Sequence, residues 1–139
     1  MFKKVLVPID VSHKERNDTL IQRSKELADA NGGSLTLLNV VQDVPGYIAA
    51  ELPAGVHERV LDNTRAELKR LAEKHGLPSD TEINITHGHP AQKILEASSE
   101  GKADVVVVAS HQPGLADYLL GSVAGKVVRH ASCSVVVLR

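Results

Sequence analysis

The sequence predicts an α/β protein, a doubly wound parallel sheet of five strands with about four helices, occupying residues 1–139 as one domain. Three observations carry this. Short apolar runs alternate along the chain with longer stretches of helical periodicity. The purest run, Val105-Val106-Val107-Val108, is continuously β-branched, as strands covered on both faces are. Strands separated by helices run parallel, because each crossover returns the chain to the same end of the sheet, and right-handed crossovers leave few topologies.

Each element has its own signature. Val5-Leu6-Val7-Pro8-Ile9 is the first strand, with Pro8 near its carboxyl end, where a missing N–H does least harm. From about Lys14 to Ala30 a helix carries Leu20, Ile21, Leu27 and Ala28 on one face, and Asn31-Gly32-Gly33 ends it by allowing left-handed backbone. Leu35 to Val41 reads as the second strand. A loop containing Pro45, Gly46 and Pro53 leads to a helix with Leu61, Thr64, Leu68 and Leu71 as its inner stripe, stopped by Lys74-His75-Gly76 and Pro78. Glu82 to Thr86 alternates as a strand does; Gly88 turns the chain and Pro90 starts the next helix, which contains Ile94 and Leu95. After the valine strand, Val123, Val127, Val128 and Ala131 recur at helical spacing behind Gly121-Ser122, and Val135-Val136-Val137-Leu138 closes the sheet.

A chain of 139 residues buries roughly two-thirds of its unfolded surface, enough for one core. Lys and Arg total 16 against 17 Asp and Glu, so the net charge of -1 supplies no broad basic field for nucleic acid or anionic lipid. Any anion site is therefore local. No apolar run approaches the ~20 residues of a membrane helix. The single cysteine, Cys133, excludes an internal disulfide framework, and Met1-Phe2-Lys3-Lys4 enters a strand without a secretory pattern. A cytoplasmic location is expected.

The most informative stretch is Ala109-Ser110-His111-Gln112-Pro113-Gly114, followed by Gly121-Ser122-Val123. A small-residue loop that leaves a buried parallel strand and re-enters a helix through Gly-Ser presents free backbone N–H groups, backed by the helix's positive end, to an anion. In a doubly wound sheet, ligands sit beyond the strand carboxyl ends where strand order reverses. The first and fourth strands flank that point with Ile9-Asp10 and Ala109-Ser110.

The opening Lys4-Val5-Leu6-Val7-Pro8-Ile9-Asp10, the Leu119-Leu120-Gly121-Ser122-Val123 segment, the tail from Val128 to Val137 and the central Gly88-x-Pro90 turn together resemble the universal stress protein family, in the same order and over the whole chain. The resemblance implies a Rossmann-like sheet of the adenine nucleotide alpha hydrolase type with strand order 3-2-1-4-5, ATP bound at the switch point with Mg²⁺, and a homodimer formed through Val135–Leu138. It places Pro8, Ile9 and Asp10 around adenine and ribose, has Val40 and Val41 clasp the adenine, and brings Gly88 close to the nucleotide. The phosphates then lie against Ala109, Ser110, His111 and Gln112 and against Gly121, Ser122 and Val123.

The chain also departs from the family's usual ATP loop. Ala109 and Gln112 stand where two glycines are usual, and eight residues rather than nine separate Gln112 from Gly121. Gly114 takes over part of the lost backbone freedom in this reading, and the Ser110-His111-x-Pro113 pattern resembles a smaller subgroup in which nucleotide binding survives the change. Two other phosphate motifs fail on spacing. Gly121-Ser122-Val123-Ala124-Gly125-Lys126 is too short for a P-loop and has Val127 where Ser or Thr is needed, and no glycine fingerprint follows the first strand. Seven histidines, with His87-Gly88-His89 the tightest cluster, lack the Cys or carboxylate that would complete a ligand spacing, so no metal site is assigned.

Several residues keep two readings. Asp10 either turns the chain or meets the ligand, Ser12 either caps the first helix or touches phosphate, and His111 either bonds phosphate or faces solvent. The expected function is a stress-responsive binding or regulatory module that holds ATP, with at most slow hydrolysis or self-phosphorylation and no dedicated catalytic residues. The alternative is a nucleotide-free dimeric interaction module of the same fold.

Overall fold

The computed structural model describes residues 1–110 and 120–139. The chain runs β1 (Lys4–Pro8), α1 (Lys14–Ala30), β2 (Ser34–Val41), α2 (Gly46–Ala49), α3 (Val56–Lys74), β3 (Glu82–His87), α4 (Pro90–Glu100), β4 (Val105–Ala109), α5 (Ser122–His130) and β5 (Ser134–Leu138). All neighbouring strands pair in parallel, in the order β3-β2-β1-β4-β5. The order therefore reverses between β1 and β4, as expected, since β1 is flanked by β2 on one side and β4 on the other.

Period-two alternation along the strands divides the core into two layers. Val5, Val7, Leu37, Val105 and Val107 meet Leu20, Ile21 and Ala28 of α1 and Leu68, Leu71 and Ala72 of α3. Leu6, Leu38, Val106 and Val108 face the other way, against Ile94 of α4 and Ala124 and Val127 of α5. The four valines of β4 are buried because successive residues feed opposite layers.

Two expectations about the helices need correcting. A fifth helical segment, the single turn α2, lies inside what reads as a loop; Pro45 precedes it in extended backbone and the carbonyl of Pro45 accepts from Ile48 and Ala49 at 2.9 Å. None of its residues is buried, so no apolar stripe announces it. In α5 the inner face is Ala124 and Val127, with Ala131 packed beside them, while Val123 and Val128 are 37% and 44% exposed. With nine residues, α5 offers too few turns for spacing alone to choose between two adjacent valine stripes.

The amino-terminal end of the sheet is tightly closed. The carboxylate of Asp104, just before β4, accepts from the backbone N–H groups of Lys4 at 2.8 Å and Lys3 at 3.0 Å, which hold its carboxyl below the ordinary range. Asp104 in turn donates its own N–H to the Lys4 carbonyl, and Ser34 donates to that of Lys3. Gly33 lies so close to this corner that a Cβ there would stand 2.6 Å from the Cα of Lys3.

Candidate functional site

At the opposite end of the sheet the strands diverge around a cleft of about 510 Å³. Its floor is made by the ends of β1, β2 and β4 through Pro8, Ile9, Val40 and Ala109; α1 supplies one wall through Asn17, and α5 the other through Val123. The position follows from topology. The helices that follow β1 and β4, α1 and α5, pack on opposite faces of the sheet, so among the described residues none fills the gap between those strand ends.

Local hydrogen bonds keep this opening in shape. The Asn39 side chain, buried in an otherwise apolar strand, donates to the Ile9 carbonyl at 2.8 Å, and Ile9 N–H donates to the Leu38 carbonyl at 2.7 Å. Asn17 Nδ2 donates to the Asp10 carbonyl at 2.7 Å. The Asp10 carboxylate accepts from the backbone N–H of Ser12 at 3.0 Å and from its hydroxyl, an Asx-type turn. The second carboxylate oxygen stands 3.7 Å from Nε2 of His13. Ser12 is therefore not the cap of α1. That position belongs to His13, whose side chain makes no capping bond, while the Ser12 hydroxyl is directed at Asp10.

On the β4 side, buried Ser110 donates its N–H to the Leu138 carbonyl at 2.8 Å, and its own carbonyl accepts the Gly121 N–H at 2.6 Å. These bonds clamp both described ends of the loop between β4 and α5. Gly121 takes extended backbone at the cap of α5 and accepts from Gly125 at 2.8 Å. The Gly121 amide is already spent, so the first-turn amides of α5 that precede its internal ladder are those of Ser122, Val123 and Ala124.

The predicted site residues thus fall into three groups. Pro8, Ile9, Asp10, Val40, Ala109 and Val123 line the cleft. Val41, Gly88, Ser110, Gly121 and Ser122 lie just outside its lining. Val41 is tied to Gly88, whose N–H donates to the Val41 carbonyl at 3.0 Å; Gly88 has φ +129°, and a Cβ there would meet the Lys93 side chain at 2.9 Å. His111 and Gln112 lie outside the described residues. Sequence reasoning missed Arg16, Asn39, Gln42 and Pro90, which also line the cleft. Only Asn39 carried a signal, as an amide interrupting an apolar strand.

The histidines find other uses. Nε2 of His75 bonds the Asp18 carboxylate at 2.8 Å, and Lys74 approaches the same group at 2.9 Å; Lys74 first and His75 second hold the Asp18 carboxyl below its ordinary range. The His57 ring stacks on His87 with centroids 4.8 Å apart. No three His, Cys, Asp or Glu side chains converge on a metal position among the described residues. Among the same residues no helix is long and apolar enough to cross a membrane. Cys133 packs half-buried against the second layer, where burial pushes its thiol pKa up.

Comparison with known proteins agrees with this architecture. The model of the universal stress protein family matches residues 1–139. Universal stress protein G of Salmonella typhimurium is 30% identical over 146 residues, covering all of both chains. Among solved structures, a universal stress protein in complex with cAMP shares the fold with a TM-score of 0.66 at 24% identity, over 99% of this chain and 96% of the other. The universal stress protein of Archaeoglobus fulgidus in complex with dAMP does so with a TM-score of 0.64 at 16% identity, over 100% of each chain.

Proposed function

Because the chain belongs to the universal stress protein family, we propose that it binds an adenine nucleotide, ATP with Mg²⁺, in the cleft between β1 and β4 and acts as a stress-responsive binding or regulatory module. The observation that carries this reading is the cleft itself: about 510 Å³ at the switch point, with an apolar floor and the first turn of α5 at one wall. That proteins of this fold have been solved in complex with cAMP and dAMP supports an adenine nucleotide as the ligand.

In this reading Pro8, Ile9 and Asp10 surround adenine and ribose, and the main chain at Val40 and Val41 reads the adenine edge. Gly88 supports that edge through its bond to Val41. The phosphates lie along Ala109 to Gln112 and against Gly121, Ser122 and Val123. Among the described lining residues the one carboxylate, Asp10, is engaged by Ser12 and lies beside His13; this reading assigns neither a catalytic role and expects hydrolysis slow beside ordinary enzyme rates of about 1–10³ s⁻¹. The reading places the protein in the cytoplasm, where a lone half-buried thiol stays reduced. It makes the protein a homodimer through Val135–Leu138, because β5 is a sheet edge with neither proline nor an internal charge to block a second strand.

Denaturing the purified protein and identifying released nucleotide tests the ligand, followed by calorimetry with ATP and Mg²⁺. Micromolar affinity needs about 8 kcal/mol, within reach of adenine burial plus a few charge-assisted N–H bonds. Absence of binding at millimolar ATP, or equal affinity for GTP, contradicts the reading and leaves the nucleotide-free interaction module. Sedimentation of the unaltered protein and of Val136→Pro and Val137→Pro tests the dimer, since one of the two removes a donor that faces the partner; a monomer at tens of micromolar rules it out.

A further inference from the structure

Arg16 carries a feature that binding adenine and ribose does not explain. Among the described residues lining the cleft it alone bears a permanent positive charge, and it is half-buried there. It stands in the first turn of α1, where the helix dipole disfavours a cation. Its helical neighbours three and four positions away are Ser12, His13, Thr19 and Leu20, so no carboxylate lies within reach on its own face. Arg23 and Lys25 of the same helix, by contrast, meet Glu26 at 3.4 Å and Asp29 at 2.6 Å. The guanidinium of Arg16 has no hydrogen bond or ion pair with any described residue. The nearby Asp10 carboxylate is occupied by Ser12 and faces His13 with its other oxygen.

We propose that Arg16 is the residue that selects nucleoside polyphosphates over monophosphates in this cleft, by offering its two-pronged donor face to the outer phosphates. The inference rests on the adenine-nucleotide reading above. Its physical basis is charge. The chain as a whole carries -1, so outer phosphates whose charge a single Mg²⁺ neutralises only in part find no general attraction and must be met locally. A nucleoside monophosphate lacks those outer phosphates and ends nearer the ribose. A guanidinium matches phosphate oxygens in pairs, is always charged, and gives up little hydration when it binds.

Calorimetry with ATP, ADP and AMP on the unaltered protein, Arg16→Gln and Arg16→Lys tests it. The unaltered protein should prefer ATP over AMP; Arg16→Gln should shrink that preference about tenfold, the effect of one lost charge-assisted contact, and Arg16→Lys should restore part of it. Added salt should narrow the ATP-to-AMP ratio of the unaltered protein, a readout independent of any variant's folding. An unchanged ratio in Arg16→Gln, with both nucleotides still bound, overturns the inference and leaves the adenine reading standing. Equal losses for ATP and AMP mark Arg16 as a structural residue and overturn it too. If the unaltered protein binds none of the three, the adenine reading fails first and takes the inference with it.

Discussion

The two ends of the sheet use the same strands for opposite purposes. At the amino end β1 and β4 are bound together through Asp104, Lys3 and Lys4, and Gly33, just before β2, presses on the backbone of Lys3, just before β1. At the carboxyl end the same two strands part around a cleft where Asp10, Ser12, Asn17 and Asn39 are tied into local hydrogen bonds and Arg16 is not. Close backbone contacts gather where the connections cross the sheet, and the cleft opens where the helices turn away to opposite faces. Substitutions at the first end should therefore act on melting, and those at the second on ligand affinity.

The strongest way to break that division is Gly33→Val. A side chain there collides with the backbone of Lys3 rather than with a flexible group, so β1 and β2 must separate locally. We expect a loss of about 3 kcal/mol or more, and a melting temperature lower by roughly 10 °C in calorimetry; an unshifted melting curve would show that the close approach is dispensable. Next comes Asn39→Ala, which leaves the buried Ile9 carbonyl without its donor. It should cost about 1–3 kcal/mol in denaturant midpoints and also weaken nucleotide binding, because Ile9 forms part of the cleft floor. Among these positions it alone should report at both ends.

The smallest effect is electrostatic and depends on pH. The folded-state pKa of Asp104 is depressed, so its contribution is present above the ordinary carboxylate range and is lost as pH falls through the folded value. Asp104→Asn should lower the urea midpoint at neutral pH and converge on the unaltered protein in strong acid. A constant gap at every pH would mean that the side chain acts by shape and not by charge. Gly121→Val sharpens the contrast from the other side: in the proposed reading it obstructs the phosphates at the start of α5, so it should reduce ATP affinity sharply while the melting curve of the unliganded protein barely moves.

Much of this fold could be read in advance because its strands are extreme. Val105 to Val108 supply both layers and admit no other assignment, and Asn31-Gly32-Gly33 and His75-Gly76 end helices by backbone chemistry alone. The turn Gly46–Ala49 escaped because it buries nothing and so imprints no period. The cleft lining was legible where it belongs to strand ends, at Pro8, Ile9, Asp10 and Ala109, since a strand end fixes where its last residues lie. It was not legible at Arg16, Gln42 and Pro90. Whether a residue at the start of a helix or loop turns toward the cleft depends on how that element docks, which local spacing does not encode. Ser12 shows the same limit at closer range: a hydroxyl suited to capping a helix serves the neighbouring carboxylate instead.

The bond between Lys4 and Asp104 also has a bearing on the order of assembly. It joins residues 100 positions apart, whereas β1 and β2 pair Val5 with Leu35, only 30 positions on. Closing the larger loop costs about 1 kcal/mol more entropy. Pairing of β1 with β4 is thus the costlier of the two contacts for β1 to close, and the cleft at the carboxyl end needs both strands in place. A chain in which those strands are unpaired lacks this cavity, so any ligand that the cleft holds stabilises the folded molecule.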